Sequence, residues 1–349
     1  MTADLDRDRY VLPLDEAERI FTDDIVPERL TGTPQQQPVA VFVVGQPGAG
    51  KSVAQAAVLA RLGRTDAVAI DVDDLRTYHP RYEELALADD RTAAAYTQRD
   101  AQRWLRMSIA EATSRRYDIV LSTTFADPGH AEALINRFRA LAYAPQVAIL
   151  AVHELHSRLG VLDRYQADRV LLGYGRYTPP DYQRTAYAGL LATADRIDQH
   201  RLADVVHVYQ RNGHELYRNQ LIDGLWQQPP ATRTAVEQGR AASLASTGTT
   251  DLFTRAAVLA PTLPDELRPD LAQLLADATA ATRRDVRQLA DTIATRADHS
   301  SGPALGTTLP APQAGSRSRH HSDPAHLYDR FAAGEPSSAV HADEHELGY

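Results

Sequence analysis

The chain of 349 residues has no cysteine and only one lysine. It also lacks any apolar run approaching the roughly 18 residues that a membrane span needs. Without cysteine there is no disulfide framework, no thiolate metal site and no cysteine nucleophile. The first 30 residues are charged throughout and contain no apolar core of a signal peptide, so the expectation is a soluble cytoplasmic protein. Basic surplus is missing too. The formal net charge is −9, which argues against nucleic acid or an anionic membrane as the primary partner. What is present is an ordinary globular composition, 43% hydrophobic and 24% charged, over a length that suits roughly two domains. The basic residues are strongly skewed: of 37, all but Lys51 are arginine. Where arginine serves every generic need for positive charge, a lone lysine marks a position that needs a compact ammonium on a flexible stem.

Apolar strand-like runs alternate with helical segments through the middle of the chain. Residues 1–36 read as a polar arm with one amphipathic helix, in which Leu14, Ala17, Ile20 and Phe21 recur at helical spacing. After the PQQQP linker at 34–38, strands are expected at 40–44, 67–71, 118–123, 146–152 and 204–210, with a short hairpin return at 213–219. Helices are expected between them at 52–62, 91–116, 130–142, 154–170 and 181–201. Continuous apolar strands separated by helices imply an α/β fold with a parallel sheet covered on both faces, which binds ligands at the carboxyl ends of its strands. This places a principal domain at 37–230. Residues 231–298, rich in Ala, Leu, Arg and Asp, form a helical extension of two or three helices. Residues 299–349 are dominated by Ser, Gly, Pro and His and bury too little apolar surface to stay ordered, apart from a short helix at 323–334. The histidines of this tail have no zinc-like spacing and read as solvated.

The motif GQPGAGKS at 45–52 matches the phosphate-binding pattern G-x-x-x-x-G-K-[ST], and it follows a strand and opens a helix. Gly45, Gln46, Pro47, Gly48, Ala49, Gly50, Lys51, Ser52 and Val53 form the expected cradle. The glycines let successive amides face phosphate oxygens, and the helix N-terminus adds a favourable dipole. Lys51 is expected on the β- and γ-phosphates and Ser52 on Mg²⁺. Downstream, DVDD at 71–74 closes the second strand. If the strand continues, Asp71 and Asp73 face the same side. Asp73 is then the candidate base that takes the proton of an acceptor hydroxyl, and Asp71 contacts the metal or braces the turn. The competing reading is helix capping by Asp73 or Asp74 of a segment beginning at Leu75. Arg164 and Arg176 flank a Gly-containing segment and suit charge on a transferred phosphoryl group, although in so arginine-rich a chain each is also an ordinary solvated residue.

Taken together, GQPGAGKS, DVDDLRTYHPRYEEL (71–85), DAQRW (100–104), LDRYQ (162–166) and GRYTPPDY (175–182) resemble the zeta-toxin family of toxin–antitoxin systems over about 60% of the chain. The resemblance implies a P-loop NTPase-type fold and an enzyme that uses ATP or GTP with Mg²⁺ to phosphorylate the 3′-hydroxyl of UDP-N-acetylglucosamine, poisoning cell-wall precursor synthesis. It implies an antitoxin partner, Asp73 as catalytic base, and Arg164 and Arg176 as γ-phosphate clamps. Two positions depart from the family's pattern: Ser122-Thr123-Thr124 stands where the third strand often ends in Glu-Gly-Thr, and Arg106 stands where a functional glutamate follows the position of Trp104. Both changes remove hydrogen-bond acceptors from the acceptor side of the site. The rival readings are a P-loop kinase for another small-molecule acceptor and a nucleotide-binding regulatory protein without turnover.

Overall fold

The structure, a computed structural model, describes residues 6–244 and 246–300. The expectations for the tail and for a short helix at 323–334 lie outside the described residues. Residues up to Ala280 form one compact unit, and residues 281–300 belong to a second whose described part is helical.

Helix α1 (Leu14–Ile20) continues through a π-turn (Phe21–Ile25) into α2 (Val26–Arg29). Then follow β1 (Val39–Val44), α3 (Lys51–Leu62), β2 (Val68–Ile70), α4 (Val72–Arg76), α5 (Tyr82–Ala88), α6 (Ala93–Ser114) and β3 (Ile119–Thr123). Next come α7 (Pro128–Ala140), β4 (Ala144–Leu150), α8 (Glu154–Leu172), α9 (Pro180–His200) and β5 (Val205–Tyr209). The chain returns in β6 (Glu215–Ile222) and β7 (Leu225–Trp226), and ends in α10 (Thr232–Ser243), α11 (Ser246–Leu259) and α12 (Arg268–Ser300). The seven strands form one sheet in the order β2-β3-β1-β4-β5-β6-β7. The first five are parallel, and β6 and β7 add an antiparallel edge. The expected hairpin return is therefore real, and longer than its sequence suggests.

The central strand explains why its sequence is apolar at every position. Val39, Val41 and Val43 face a cluster completed by Ala54 and Val58 of α3, while Ala40, Phe42 and Val44 face the opposite cluster with Ile135 and Phe138 of α7. Both faces are covered, so no position can be polar. Phe42 packs edge-on against Phe138 with ring centroids 5.6 Å apart. Helix termini follow local chemistry. Gly63, at φ 65°, ends α3 in the left-handed conformation. Asp127 accepts the His130 N–H at 2.6 Å at the start of α7, with Pro128 next in the chain. The N-terminal segment is held in the main core by buried Ala17, Ile20, Ile25 and Leu30, and Trp104 Nε1 donates to the Ala17 carbonyl at 2.8 Å.

The C-terminal helices are amphipathic and bury Val236, Leu252, Leu259, Leu271 and Leu274. Their register against α8 is fixed by Arg158–Asp277 and Arg255–Asp163 ion pairs. Among the described residues no helix is long and apolar enough to cross a membrane.

Candidate active site

The loop from β1 to α3 is wholly buried along residues 45–50. Gly48 and Gly50 take φ of 75° and 88°, the left-handed conformation that glycine adopts without strain. Gly48 is demanded twice, because a Cβ there would stand 2.0 Å from the Ser157 carbonyl oxygen of α8. Gly160 answers it from the helix, where a Cβ would lie 2.5 Å from the Gly48 oxygen. Loop and helix thus touch backbone to backbone, so α8 sets the position of the cradle. Gly160→Ala is expected to cost roughly 1–3 kcal/mol by overpacking and to weaken nucleotide affinity; thermal unfolding and a nucleotide titration check both.

Gln46 ties the loop down by donating Nε2 to the Val152 carbonyl at 2.7 Å and to Ser157 Oγ at 3.1 Å. The Lys51 ammonium, 7% exposed, donates to the carbonyls of Gly45 at 2.8 Å and Gln46 at 3.2 Å. The amides of the first turn of α3 follow a glycine cap that has no side chain to satisfy them. Ser52 lies half-buried in that turn. The Val53 side chain is 73% exposed, which leaves its backbone N–H as the part in reach of the cradle.

One sequence expectation is corrected at the next strand. β2 ends at Ile70, so Asp71 and Asp73 do not project from one strand face. Asp71 caps α4 instead, accepting the Asp73 N–H on Oδ1 at 2.9 Å, and the capped helix begins at Val72 rather than Leu75. The cap presents Asp73 from the first turn. Its carboxylate, 6% exposed, is ion-paired with Arg76 Nη1, and Arg76 Nη2 donates to Gln98 Oε1 of α6 at 2.5 Å. Tyr82 is buried within electrostatic reach of this pair. Burial pushes its phenol up to about 12, and the charges of Arg76, Asp73 and Arg176 all reach it. Tyr82 also meets Tyr174 edge-on, with centroids 6.0 Å apart. The charges of α4 and of the segment after α8 therefore both reach Tyr82 of α5, although these elements are far apart in sequence.

Arg164 lies on α8 and Arg176 in the segment that follows it. Arg164 Nη2 donates to Thr178 Oγ1 at 2.9 Å. Arg176 grips Asp168 with two bonds, Nε to Oδ2 at 2.7 Å and Nη2 to Oδ1 at 3.1 Å. Asp90 latches the segment carrying Arg176, accepting from the Gly175 N–H at 2.8 Å and from the Tyr165 hydroxyl at 2.9 Å. Ser122, at the end of β3, contacts Gln55 Oε1 at 3.0 Å. Arg106 is exposed on α6. The α6 residue that touches the cluster is Gln98. Among the described residues no group of three or more His, Asp or Glu side chains forms a metal-binding set. A single serine hydroxyl such as that of Ser52, in the first turn of α3, is compatible with Mg²⁺, which keeps waters and takes most of its anionic ligands from phosphates.

Sequence reasoning missed Arg211, Gln98, Asp90 and His156. The Arg211 side chain lies against Gly50, 3.3 Å from where a Cβ would stand, in the turn between β5 and β6. In a chain with so many arginines nothing in its context singles it out. His156, 6% exposed, is held below the ordinary histidine value of 6.5, first by burial and then by Arg255 and Arg211. Burial lowers His207 in the same way. Below pH 6.5 the unfolded chain therefore binds protons that the folded one refuses, so stability falls as pH drops through and below 6.5. A melting temperature that declines between pH 7 and 5, with a shallower slope in His156→Gln, is the expected result.

The zeta toxin family model matches residues 24–222, more than half of the chain. Curated relatives include toxin zeta of Enterococcus hirae, 23% identical over 52% of this chain and 64% of that protein. Toxin PezT of Streptococcus pneumoniae is 24% identical over 51% of this chain and 70% of its own length. The chain thus spans slightly less than two thirds of the first of these relatives. A solved structure from the PezAT chromosomal toxin–antitoxin system of Streptococcus pneumoniae superposes with a TM-score of 0.60 at 16% identity, covering 72% of this chain and 98% of that one, so the sheet and its flanking helices are the same fold. With the glycine-rich loop at the end of the central strand and the family model matching residues 24–222, the chain belongs to the zeta toxin family.

Proposed function

We propose that the protein is a kinase that moves the γ-phosphate of ATP or GTP to a hydroxyl of a small acceptor. The acceptor class is a nucleotide-sugar, with the 3′-hydroxyl of UDP-N-acetylglucosamine as the family's substrate. The observation that carries this reading is the glycine-built loop at the end of the central strand, in which buried Lys51 is held by the Gly45 and Gln46 carbonyls; the buried Asp73–Arg76 pair supports it.

In this mechanism Lys51 leaves its carbonyl partners and pairs with the β- and γ-phosphate oxygens. Cradle amides and the helix N-terminus hold the remaining oxygens. Ser52 would hold Mg²⁺, with Asp71 reaching it through the ion's water shell, and the ion would offset phosphate charge there. Asp73 accepts the proton of the acceptor hydroxyl as its oxygen bonds to the γ-phosphorus, and the bond from that phosphorus to the bridging oxygen of the diphosphate breaks. Arg164 and Arg176 stabilise the charge on the transferred group. The Arg176–Asp168 pair and the Asp90 latch hold the arginine in place before substrate arrives, which lowers the entropic cost of assembling the site. A kinase that drains a cell-wall precursor is toxic to its own cell, so an antitoxin protein is the expected partner.

Ser122 favours a second reading, in which the same chemistry serves a different small-molecule alcohol. An acid at that strand end would supply acceptor lone pairs to a sugar, whereas this hydroxyl contacts Gln55. The deciding experiment incubates the protein with Mg-ATP and UDP-N-acetylglucosamine and looks by mass spectrometry for a product one phosphate heavier. Its appearance supports the nucleotide-sugar. Its absence, with ATP still bound, removes that acceptor and directs the search to other alcohols.

A further inference from the structure

Helices α11 and α12 grip the same helix that touches the phosphate loop. Ser157, Gly160 and Val161 form the strip of α8 against that loop: a Cβ on Gly48 would stand 2.0 Å from the Ser157 oxygen and 2.8 Å from the Val161 nitrogen. At 3.6 residues per turn, Arg158 and Asp163 fall about a third of a turn to either side of this strip. Both flanks are held from the C-terminal helices. Arg158 Nη1 donates to Asp277 Oδ2 of α12 at 2.6 Å, and Asp163 pairs with Arg255 of α11. The start of α8 is held as well, because the His153 N–H donates to Ser243 Oγ of α10 at 2.9 Å. The contact between α8 and the loop is backbone on backbone. A shift of α8 therefore meets no flexible side chain that could absorb it, and it moves the loop. The amides of a cradle act on phosphate only within hydrogen-bond reach, and a displacement of about 0.5 Å already weakens binding.

Resting on the reading of residues 45–52 as a nucleotide cradle, we propose that Arg255 and Asp277 are positioning residues for the donor nucleotide. They clamp α8 at both flanks, and α8 holds the loop in the shape that receives the phosphates. Both residues lie beyond the span 24–222 that the family model matches, so the C-terminal helices complete the nucleotide site of this chain from outside that span. The coupling runs both ways. Whatever the clamp adds to nucleotide affinity, bound nucleotide returns to the docking of α11. Each pair is partly exposed, so the transmitted effect is modest.

Calorimetric titration of the full chain with Mg-ADP tests the clamp without catalysis. Asp277→Arg sets like charges against Arg158, and Arg255→Glu does so against Asp163. Each is expected to weaken Mg-ADP binding about three- to tenfold, with the melting temperature lowered by no more than about 4 °C. Adding Arg158→Asp to Asp277→Arg rebuilds the pair with its charges exchanged, and affinity is expected to return to within about twofold of the wild type. Arg196→Glu is the control. It sets like charges between α9 and α7, at Glu132, and is expected to leave affinity within about twofold. Hydrogen exchange gives the reciprocal reading: bound Mg-ADP is expected to slow the amides of α11 about three- to tenfold more than those of α7. Affinity within about twofold of the wild type in both clamp variants, an equal loss in Arg196→Glu, no recovery on charge exchange, or equal slowing in α11 and α7 overturns the proposal. A wild-type chain that binds no Mg-ADP overturns the cradle reading itself. A chain whose Mg-ADP affinity follows the clamp but which phosphorylates no acceptor sinks the kinase reading and leaves the clamp standing.

Discussion

Replacing Lys51 with alanine will abolish phosphoryl transfer while leaving the fold in place. The ammonium is the sole lysine of the chain, and without nucleotide it is held by two loop carbonyls within 3.2 Å. Those bonds keep a buried cation satisfied at the place where, in the proposed mechanism, phosphate oxygens replace the carbonyls. Losing a charge aimed at the transferred group lowers the rate by on the order of 10³-fold, equivalent to about 4 kcal/mol. The structural cost is smaller, because alanine removes the charge together with its need for partners, and the two carbonyls keep the option of water. Lys51→Arg is the sharper comparison. It preserves the charge that suffices at the other 36 basic positions, yet a planar fork cannot take the place of a single ammonium between Gly45 and Gln46. Both variants are expected to melt within a few degrees of the wild type and to give no phosphorylated product. Product at near wild-type rate from either one would remove the cradle from the mechanism.

Asp73→Asn is expected to lower the transfer rate by roughly 10²–10⁴-fold, the usual contribution of a positioned base, with nucleotide affinity changed little. The variant has a structural side as well. Arg76 is almost fully buried, and Asp73 supplies its countercharge. An asparagine still accepts a hydrogen bond from the guanidinium, so the loss of stability stays at or below about 3 kcal/mol, the lower end of the cost of breaking a buried pair outright. Rate and stability therefore separate: a protein that folds and binds nucleotide but transfers nothing identifies the base. Loss of folding and nucleotide binding together would reduce Asp73 to the countercharge of Arg76. Asp71→Ala offers a reference for the cap alone, because it removes the bond to the Asp73 N–H without touching the ion pair.

The sequence alone determined the elements that are dictated locally. An unbroken apolar run can only be a strand covered on both faces, so β1, β3, β4 and β5 were legible, as was the parallel sheet they build. The cradle was legible for a related reason: phosphate binding here is backbone work, and the backbone geometry needs glycine at fixed spacing. The acidic turn was read in part. Two carboxylates at a strand end were visible, but whether the strand or a helix claims Asp71 depends on where β2 loses its partner β3, and that pairing ends at Ile70. Tertiary structure alone decided the rest of the site. Gln98, Asp90 and Arg211 act through partners 22, 85 and 161 residues away in the chain, at Arg76, Gly175 and Gly50. No periodicity or motif encodes such distances, and the abundance of arginine hid the one residue whose type carried a hint. Arg106 and Gln98 show the same limit from the other side. They lie about two turns apart on one helix, and only the packing of α6 against α4 turns one toward Arg76 and leaves the other in solvent. Local sequence fixes backbone geometry because its forces act within a few residues; side-chain company at a site is fixed by packing between elements, whose contacts the order of residues does not record.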